Sequence, residues 1–225
     1  MKILSEPVVI AEGKRIKAGV NKGVALQLKA VEHSPNDHGP ASITPYAHRP
    51  NCKGIVAAVV QRKATNGIQL LFLTNNRPAL AENGSGEVVE LVAGKVGDEQ
   101  DEGFDTAAKR EVMEEGGYQE KQVTSVIPYN TFGRNHASSS GLTSEGTDFF
   151  EVNISGKSSG AIDDAGTIEG RHWVDGDLKS IVAFLSNQAN GGANISKQAL
   201  TGLFLWVAKR AEEGNLKLKP DNEPS

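Results

Sequence analysis

The sequence predicts an α/β protein in which helices cover a mixed β-sheet, an α/β/α sandwich. Short apolar runs of strand length recur between residues 54 and 174. A helix-like segment at residues 105–115 lies among these runs, and a long amphipathic segment at residues 196–213 follows them. Strands that alternate with helices are typical of this class, because the helices cover the apolar faces of the sheet.

Residues 1–50 are predicted to form a separate N-terminal β region and linker, ahead of a main domain at residues 51–214. Residues 32–50 are polar, contain four prolines and are predicted as a loop. Residues 215–225 are charged, contain prolines and are predicted to be a flexible tail. The strand-like apolar runs of the N-terminal region are residues 8–10, 15–20 and 24–31.

The central sheet is predicted from six apolar runs of the main domain. Residues 54–61 and 69–75 are expected to form a hairpin around a turn at residues 63–67. Residues 87–93 are predicted as the next strand, which leads into the helix at 105–115. Three later runs are also predicted as strands, at residues 122–129, 148–154 and 169–174.

Two helices are predicted after the last strand, at residues 178–185 and 196–213. Apolar residues recur in both at helical spacing, so these positions are predicted to face the core. They are Ile181, Val182 and Leu185 in the first helix, and Leu200, Leu203, Phe204 and Val207 in the second.

The helix at residues 105–115 is predicted to span about three turns. Asp105 is expected to be its N-cap, since Asp is a preferred capping residue. Gly116 and Gly117 are expected to end it, because glycine favours helix termination.

An acidic face is the most informative feature of this helix. Arg110, Glu111, Glu114 and Glu115 share one face at the helical rotation of about 100° per residue. Glu111 and Glu115 are like charges four residues apart, and the helix dipole disfavours negative charge at the carboxyl end. A solvated acidic surface is one interpretation. The other is a site for Mg²⁺, or for Mn²⁺ as an alternative, since Mg²⁺ binds carboxylates, water and substrate phosphates.

Residues around this helix extend the pattern into a longer motif. Together with Gly94 and Glu102, the helix reads G-x7-E-x7-R-E-V-x-E-E-x-G-Y. This resembles the signature of the Nudix hydrolases, G-x5-E-x7-R-E-U-x-E-E-x-G-U, in which U is bulky and aliphatic. The first gap is two residues longer here, and Tyr118 replaces the last aliphatic residue.

The resemblance covers residues 54–213 and implies a Nudix-type α/β/α sandwich. It also implies that Arg110, Glu111, Glu114 and Glu115 belong to the catalytic machinery. In that family the metal is bound by glutamates of the motif and by a backbone carbonyl. The corresponding metal ligands here are Glu111, Glu114, Glu115 and the carbonyl of Ala93.

Residues 90–96, ELVAGKV, resemble the E-L-P-A-G-K-I segment of the ADP-ribose pyrophosphatases, with Val92 in place of the proline. In that branch of the family, which also acts on nucleotide sugars, an arginine-proline pair often precedes this segment. One interpretation of Arg77, which is followed by a proline here, is that it binds substrate phosphate, as arginine does in bidentate fashion. The other is an ordinary surface arginine at a strand end. Gly94 is expected to contact substrate.

A loop downstream resembles a second segment of the same branch. Residues 140–145, SGLTSE, resemble P-G-x-T-S-E, with Ser140 in place of the proline. The resemblance implies that Gly141 lies at the substrate and that Glu145 takes part in the chemistry. An ordinary loop glutamate is the alternative interpretation of Glu145.

The expected activity is Mg²⁺-dependent hydrolysis of the pyrophosphate bond of a nucleoside diphosphate linked to another group, ADP-ribose or a nucleotide sugar. The products would be a nucleoside monophosphate and a sugar phosphate. Alternatives are a Nudix hydrolase of dinucleoside polyphosphates, coenzyme A or oxidised nucleotides, and a non-catalytic Nudix-fold sensor of nucleotides. The N-terminal β region resembles one that related enzymes use to form homodimers, so a homodimer is expected.

Composition narrows the partners and the compartment. A net charge of −4 argues against a nucleic-acid partner held by a broad basic surface. Cys52 is the only cysteine, so no internal disulfide forms and a reducing compartment is expected. The amino terminus has no apolar core of signal-peptide length, and no apolar run approaches the length of a membrane span. We therefore expect a cytoplasmic protein that has no membrane partner.

Overall fold

The structure, a computed structural model, describes five stretches of the main domain in full and some strands elsewhere by their backbone alone. The stretches described in full are residues 52–77, 85–97, 101–129, 146–158 and 168–214. The strands described by backbone are β1 (Lys2–Ile3), β2 (Val8–Ala11), β3 (Leu26–His33), β4 (Ser42–His48) and β10 (His136–Ala137).

The N-terminal strands β1 to β4 form an antiparallel sheet in which β3 pairs with the other three. The β character predicted for this region is confirmed at β2 and β3. The loop predicted at residues 32–50 is wrong in its later part, because β4 pairs with β3 from His48 to Ser42. Its proline at position 45 suggested a loop, but an edge strand tolerates proline. The predicted strand at residues 15–20 lies outside the described residues.

The main sheet contains nine strands in the part of the chain that the structure describes. Besides β10, the strands are β5 (Gly54–Ala64), β6 (Gly67–Asn76), β7 (Glu87–Glu90), β8 (Val92–Val96), β9 (Val123–Pro128), β11 (Gly146–Ile154), β12 (Ile168–Asp175) and β13 (Asn194–Ile195). Strand β11 pairs in parallel with β5, β13 pairs in parallel with β7, and the other pairings are antiparallel. The predicted mixed sheet is therefore confirmed, as is the hairpin of its first two strands, β5 and β6.

Helices cover both faces of this sheet. Helix α1 (Phe104–Glu114) lies on one face, and α2 (Leu178–Asn190) and α3 (Lys197–Glu212) lie on the other. Alternate residues of β5 divide between the two cores: Ala57 joins the α2/α3 side, whereas Val56 joins the α1 side. The predicted α/β/α sandwich is thus confirmed. No helix in the described residues is long and apolar enough to cross a membrane.

The strand predicted at residues 87–93 is interrupted at Leu91, which divides it into β7 and β8. The reason is a change of partner: β7 pairs with β6, whereas β8 pairs with β5. Leu91 itself is buried in the core on the α2/α3 side. The continuous apolar run contained no signal for this switch, because both halves are buried.

The helix predictions need three corrections. Helix α1 has Gly103 as its N-cap, so the predicted cap Asp105 instead lies in the first turn. Helix α2 continues to Asn190, past the predicted end at residue 185. The predicted core positions Val182, Leu200 and Phe204 are exposed by 58%, 52% and 61%.

Helix α3 packs against the sheet through a face that is shifted by about one residue from the predicted apolar stripe. Its buried residues are Ala199, Gly202, Leu203, Leu205 and Trp206. A side chain at Gly202 would overlap Leu91, so this glycine allows the helix to approach the sheet closely. The spacing of the large apolar residues alone therefore predicted the wrong face, because the buried face also contains two small residues, Ala199 and Gly202, and Trp206.

Candidate functional site

Helix α1 is held against the sheet by small and aliphatic residues on its inner side. Ala107, Ala108 and Val112 are fully buried in the core that β5 and β8 share with the helix. The helix ends at Glu114, and Gly117 follows with φ +74°, a conformation that favours glycine. This packing places the acidic face of the helix next to β8.

Arg110 is the centre of the polar contacts on this face. Its Nε donates to Glu102 Oε1 at 2.8 Å, and its Nη1 donates to Glu111 Oε1 at 2.7 Å and to Glu114 Oε2 at 2.9 Å. Its Nη2 donates to the carbonyl oxygen of Lys95 at 3.0 Å. Burial lowers the pKa of Arg110, but the bond to Glu102 and the charges of Glu111 and Glu114 outweigh it, so its pKa is raised. The guanidinium therefore stays charged and fixes three glutamates.

Glu102 anchors the loop that leads into the helix. Its side chain is fully buried and accepts a hydrogen bond from the amide of Gly97 at 2.9 Å. Gly97 has φ +107°, which a residue with a side chain rarely adopts. Lys53 Nζ donates to the carbonyl oxygen of Glu102 at 3.1 Å. Sequence reasoning missed Lys53, because 49 residues separate it from Glu102 and no motif links the two.

Glu111 lies against the backbone of β8. It is 7% exposed, and a Cβ added to Gly94 would overlap its carboxylate. Gly94 is therefore required for the close approach of the helix side chain to the strand. The structure brings together these two residues that the sequence proposed separately, one for metal and one for substrate.

Glu115 is held both through its side chain and through its backbone. Its Oε2 accepts a hydrogen bond from the amide of Ala93 at 3.0 Å, and its carbonyl oxygen accepts one from Arg171 Nε at 2.7 Å. The second bond supplies a donor to a carbonyl at the helix end, where side chains commonly satisfy such groups. It also brings positive charge to the negative end of the helix dipole. Arg171, on β12, carried no sequence signal for this role.

The donor set around Ala93 and Gly94 fits Mg²⁺. The carboxylates of Glu111 and Glu115 both reach this backbone segment, and carboxylate and carbonyl oxygens are the hard ligands that Mg²⁺ prefers. Glu114 differs, because its side chain is 52% exposed and pairs with Arg110. Among the described residues, no three His, Cys, Asp or Glu side chains form a ready metal site. The fit therefore rests on the two carboxylates of Glu111 and Glu115, and the carbonyl of Ala93 is the further ligand that the resemblance implies.

Arg77 lies at the edge of the same region, just after β6. Its Nη2 donates to Glu90 Oε2 at 2.6 Å, and its Nε donates to Glu90 Oε1 at 3.3 Å. The pKa of Arg77 is raised, first by its hydrogen bond to Glu90 and also by the charges of Glu90 and Glu115. The predicted phosphate-binding arginine therefore lies within electrostatic reach of Glu115.

Tyr118 explains one departure from the Nudix signature. Its ring is buried with Val112 and Phe150 in the core on the α1 side, where the signature places an aliphatic residue. Burial raises the pKa of its hydroxyl. The aromatic ring of Tyr118 is therefore part of this core. The predicted residues Gly141 and Glu145 lie outside the described residues.

No protein-family model and no curated protein matches this chain. Among solved structures, it resembles an Ap4A hydrolase from C. elegans at 15% identity and a TM-score of 0.44, over 71% of this chain and 98% of that one. A Nudix hydrolase from Nitrosomonas europaea shows 17% identity and a TM-score of 0.43, over 70% and 90%. The Nudix domain of NrtR from Shewanella oneidensis, complexed with ADP-ribose, shows 12% identity and a TM-score of 0.45, over 69% and 86%. These likenesses are distant, so function is inferred from the residues of the site.

Proposed function

We propose that the protein hydrolyses the pyrophosphate bond of a nucleoside diphosphate linked to another group, ADP-ribose or a nucleotide sugar, with Mg²⁺. The observation that carries the proposal is the meeting of Glu111 and Glu115 at Ala93 and Gly94. Glu111 lies against the backbone of Gly94, and Glu115 accepts a hydrogen bond from the amide of Ala93. A dense phosphate anion needs such a cation site, because carboxylates alone would repel it.

Each residue of the site has a distinct proposed role. Glu111, Glu115 and the carbonyl of Ala93 would hold Mg²⁺, and Glu114 would assist. Bound Mg²⁺ would neutralise the pyrophosphate and make a water molecule more acidic. Arg110 fixes the orientation of the glutamates through its bonds to Glu111 and Glu114.

Arg77 would bind a substrate phosphate through its guanidinium, whereas Gly94 and Gly141 would lie close to the substrate. Glu145 would accept the proton of the attacking water as a general base. Water would add to one phosphorus as the bridging oxygen leaves with the other phosphate. One nucleoside monophosphate and one phosphorylated sugar would form from each molecule of substrate and water.

We also propose that the protein acts as a cytoplasmic homodimer with no nucleic-acid partner. The N-terminal sheet supports the dimer, since related pyrophosphatases are expected to use such a region for this contact. Size-exclusion chromatography with light scattering tests it: an observed mass near twice 23.9 kDa is expected. A monomer at micromolar concentration would contradict it.

A substrate panel tests the proposed activity. ADP-ribose, several nucleotide sugars, Ap4A, coenzyme A and nucleoside triphosphates are incubated with the protein and Mg²⁺ or Mn²⁺, and the products are separated by chromatography. We expect the highest kcat/KM for ADP-ribose or a nucleotide sugar, with a nucleoside monophosphate as product. A preference for triphosphates would reject this substrate class. Tight nucleotide binding without turnover would favour the sensor.

A further inference from the structure

A cluster of three polar side chains connects the carboxyl end of β6 with Glu90, the last residue of the antiparallel strand β7. Glu90 Oε2 accepts hydrogen bonds from Arg77 at 2.6 Å and from Asn75 Nδ2 at 2.7 Å, and Glu90 Oε1 accepts one from Arg77 at 3.3 Å. The backbone of Arg77 is also fixed, since its amide donates to the carbonyl oxygen of Gly86 at 2.7 Å. An arginine just beyond a strand end is thus held at its backbone and at its guanidinium.

The cluster runs from the core to the solvent. Asn75 is 1% exposed, the Glu90 side chain is 18% exposed, and the Arg77 side chain is 45% exposed. The buried amide of Asn75 therefore orients Glu90, and Glu90 in turn orients the more exposed guanidinium. Glu90 is also three residues before Ala93, whose amide binds Glu115. Glu90 and the amide that binds Glu115 therefore belong to the same short stretch of chain, residues 90–93.

Both carboxylate oxygens of Glu90 are engaged by arginine and asparagine donors. Glu111 also pairs with an arginine, Arg110, but Glu111 and Glu115 lie against the backbone of Ala93 and Gly94. A cation at Glu90 would compete with the charge of Arg77 for the same carboxylate. Within the described residues, its contacts are those of a group that orients another side chain.

We propose that Glu90 is a positioning residue that holds Arg77 in place to bind a phosphate of the substrate, and that it is not a metal ligand. The inference rests on the proposed function, since it assigns Arg77 to the substrate's diphosphate. A guanidinium that is already oriented loses less side-chain entropy when it binds phosphate. The bonds to Glu90 use Nε and Nη2 of Arg77, so binding through Nη1 requires no break in the ion pair.

The first test is Glu90→Gln, assayed with ADP-ribose and saturating Mg²⁺. Glutamine keeps the volume and an acceptor oxygen for Asn75, but it removes the charge that holds Arg77. We expect KM to rise roughly tenfold. Because a phosphate contact acts in ground and transition states alike, kcat should change less than about twofold.

Glu213→Gln is the matched control. It makes the same change in another ion pair, Arg210–Glu213 at 2.7 Å, at the carboxyl end of α3. Its KM should equal that of the wild type. If Glu90→Gln leaves KM unchanged in an active protein, the positioning role is wrong while the proposed function stands.

A double-mutant cycle separates positioning from metal binding. Arg77→Ala should raise KM by roughly 10- to 100-fold, as expected for the loss of a charge-assisted hydrogen bond. Adding Glu90→Gln to Arg77→Ala should then cause no further rise, because Glu90 acts through Arg77. A fall in kcat together with a higher Mg²⁺ requirement in the double variant would make Glu90 a metal ligand and overturn the proposal.

Calorimetric binding of a non-hydrolysable ADP-ribose analogue in the presence of Mg²⁺ provides a readout that is independent of turnover. Glu90→Gln should raise Kd by the same factor of roughly ten. If the wild type binds ADP-ribose without hydrolysing it, the proposed function fails, and the change in Kd alone decides the role of Glu90. A wild type that neither binds nor hydrolyses ADP-ribose would refute the assignment of Arg77 and Glu90 to this ligand.

Discussion

Replacing Gly94 with alanine should displace the carboxylate of Glu111 while the fold survives. The added Cβ would overlap Glu111 Oε1 and Cδ. These atoms are the end of a flexible side chain, so the carboxylate moves before the backbone of β8 does. Ordinary contact between such atoms requires about 3.5 Å, so the carboxylate must shift by roughly 1–2 Å.

That shift sets the expected magnitude for activity and stability. A displacement of about 1 Å at a reacting group lowers turnover by about 10²-fold. The 2.7 Å bond between Arg110 and Glu111 would also break, whereas the bond of Arg110 to Glu102 would remain. Loss of one charge-assisted bond at a nearly buried position costs about 1–3 kcal/mol of the free energy of unfolding. The variant should therefore be folded and nearly inactive.

The assay compares kcat for ADP-ribose at saturating Mg²⁺ with the urea midpoint of unfolding. Gly103→Ala is the control, because the nearest atom to its added Cβ, Thr106 Oγ1, is 4.0 Å away. We expect it to keep activity within about twofold and to lose less than about 1 kcal/mol as a changed N-cap. Wild-type kcat for Gly94→Ala would show that the position of Glu111 does not matter, and equal losses in both variants would show a general effect on folding.

Four further predictions concern the site and the helix faces. Glu115→Gln keeps the volume and removes a charge, so kcat should fall at least about 10²-fold at any Mg²⁺ concentration with an unchanged circular dichroism spectrum; near-normal activity would refute its assignment. Arg171→Met removes the bond to the Glu115 carbonyl, so it should weaken Mn²⁺ binding about 10-fold, measured by paramagnetic resonance; unchanged binding would show that Glu115 is positioned without Arg171. Glu145→Gln should lower kcat by about 10²–10⁴-fold with little change in KM, and an unchanged kcat would remove it from the chemistry. In urea unfolding, Ile181→Ala should cost about 2–4 kcal/mol and Val182→Ala less than about 0.5, and equal costs would contradict the observed helix face.

The sheet and the acidic helix were predictable because both produce strong local patterns. β5 is apolar from Ile55 to Val60 since residues on both of its faces are buried there, and such runs predict a covered strand. The spacing of Arg110, Glu111, Glu114 and Glu115 defines one helical face whatever the tertiary structure. Arg110 pairs with Glu114 at 2.9 Å for the same reason, since residues four apart are neighbours on a helix.

The predictions failed where a partner outside the element decided the outcome. Leu91 separates β7 from β8 because two different strands receive the two halves of one apolar run. Helix α3 buries Gly202 and Trp206 because Gly202 allows the helix to approach the sheet closely at Leu91, whereas Phe204 remains mostly exposed. Periodicity identifies an apolar stripe, but the shape of the opposing surface selects which side of it is buried.

The acidic helix combines both situations. Its sequence contains a conflict between like charges, and it also contains Arg110, which relieves the conflict only in part. The rest of the compensation comes from distant strands: the amide of Ala93 and the guanidinium of Arg171 hold Glu115. An isolated helix would lack these donors, so the repulsion between Glu111 and Glu115 that Arg110 does not relieve would remain. The carboxylate arrangement is therefore a property of the assembled sheet. This is why we expect substitutions on β8 and β12, such as those at Gly94 and Arg171, to change metal binding although they replace no ligand side chain.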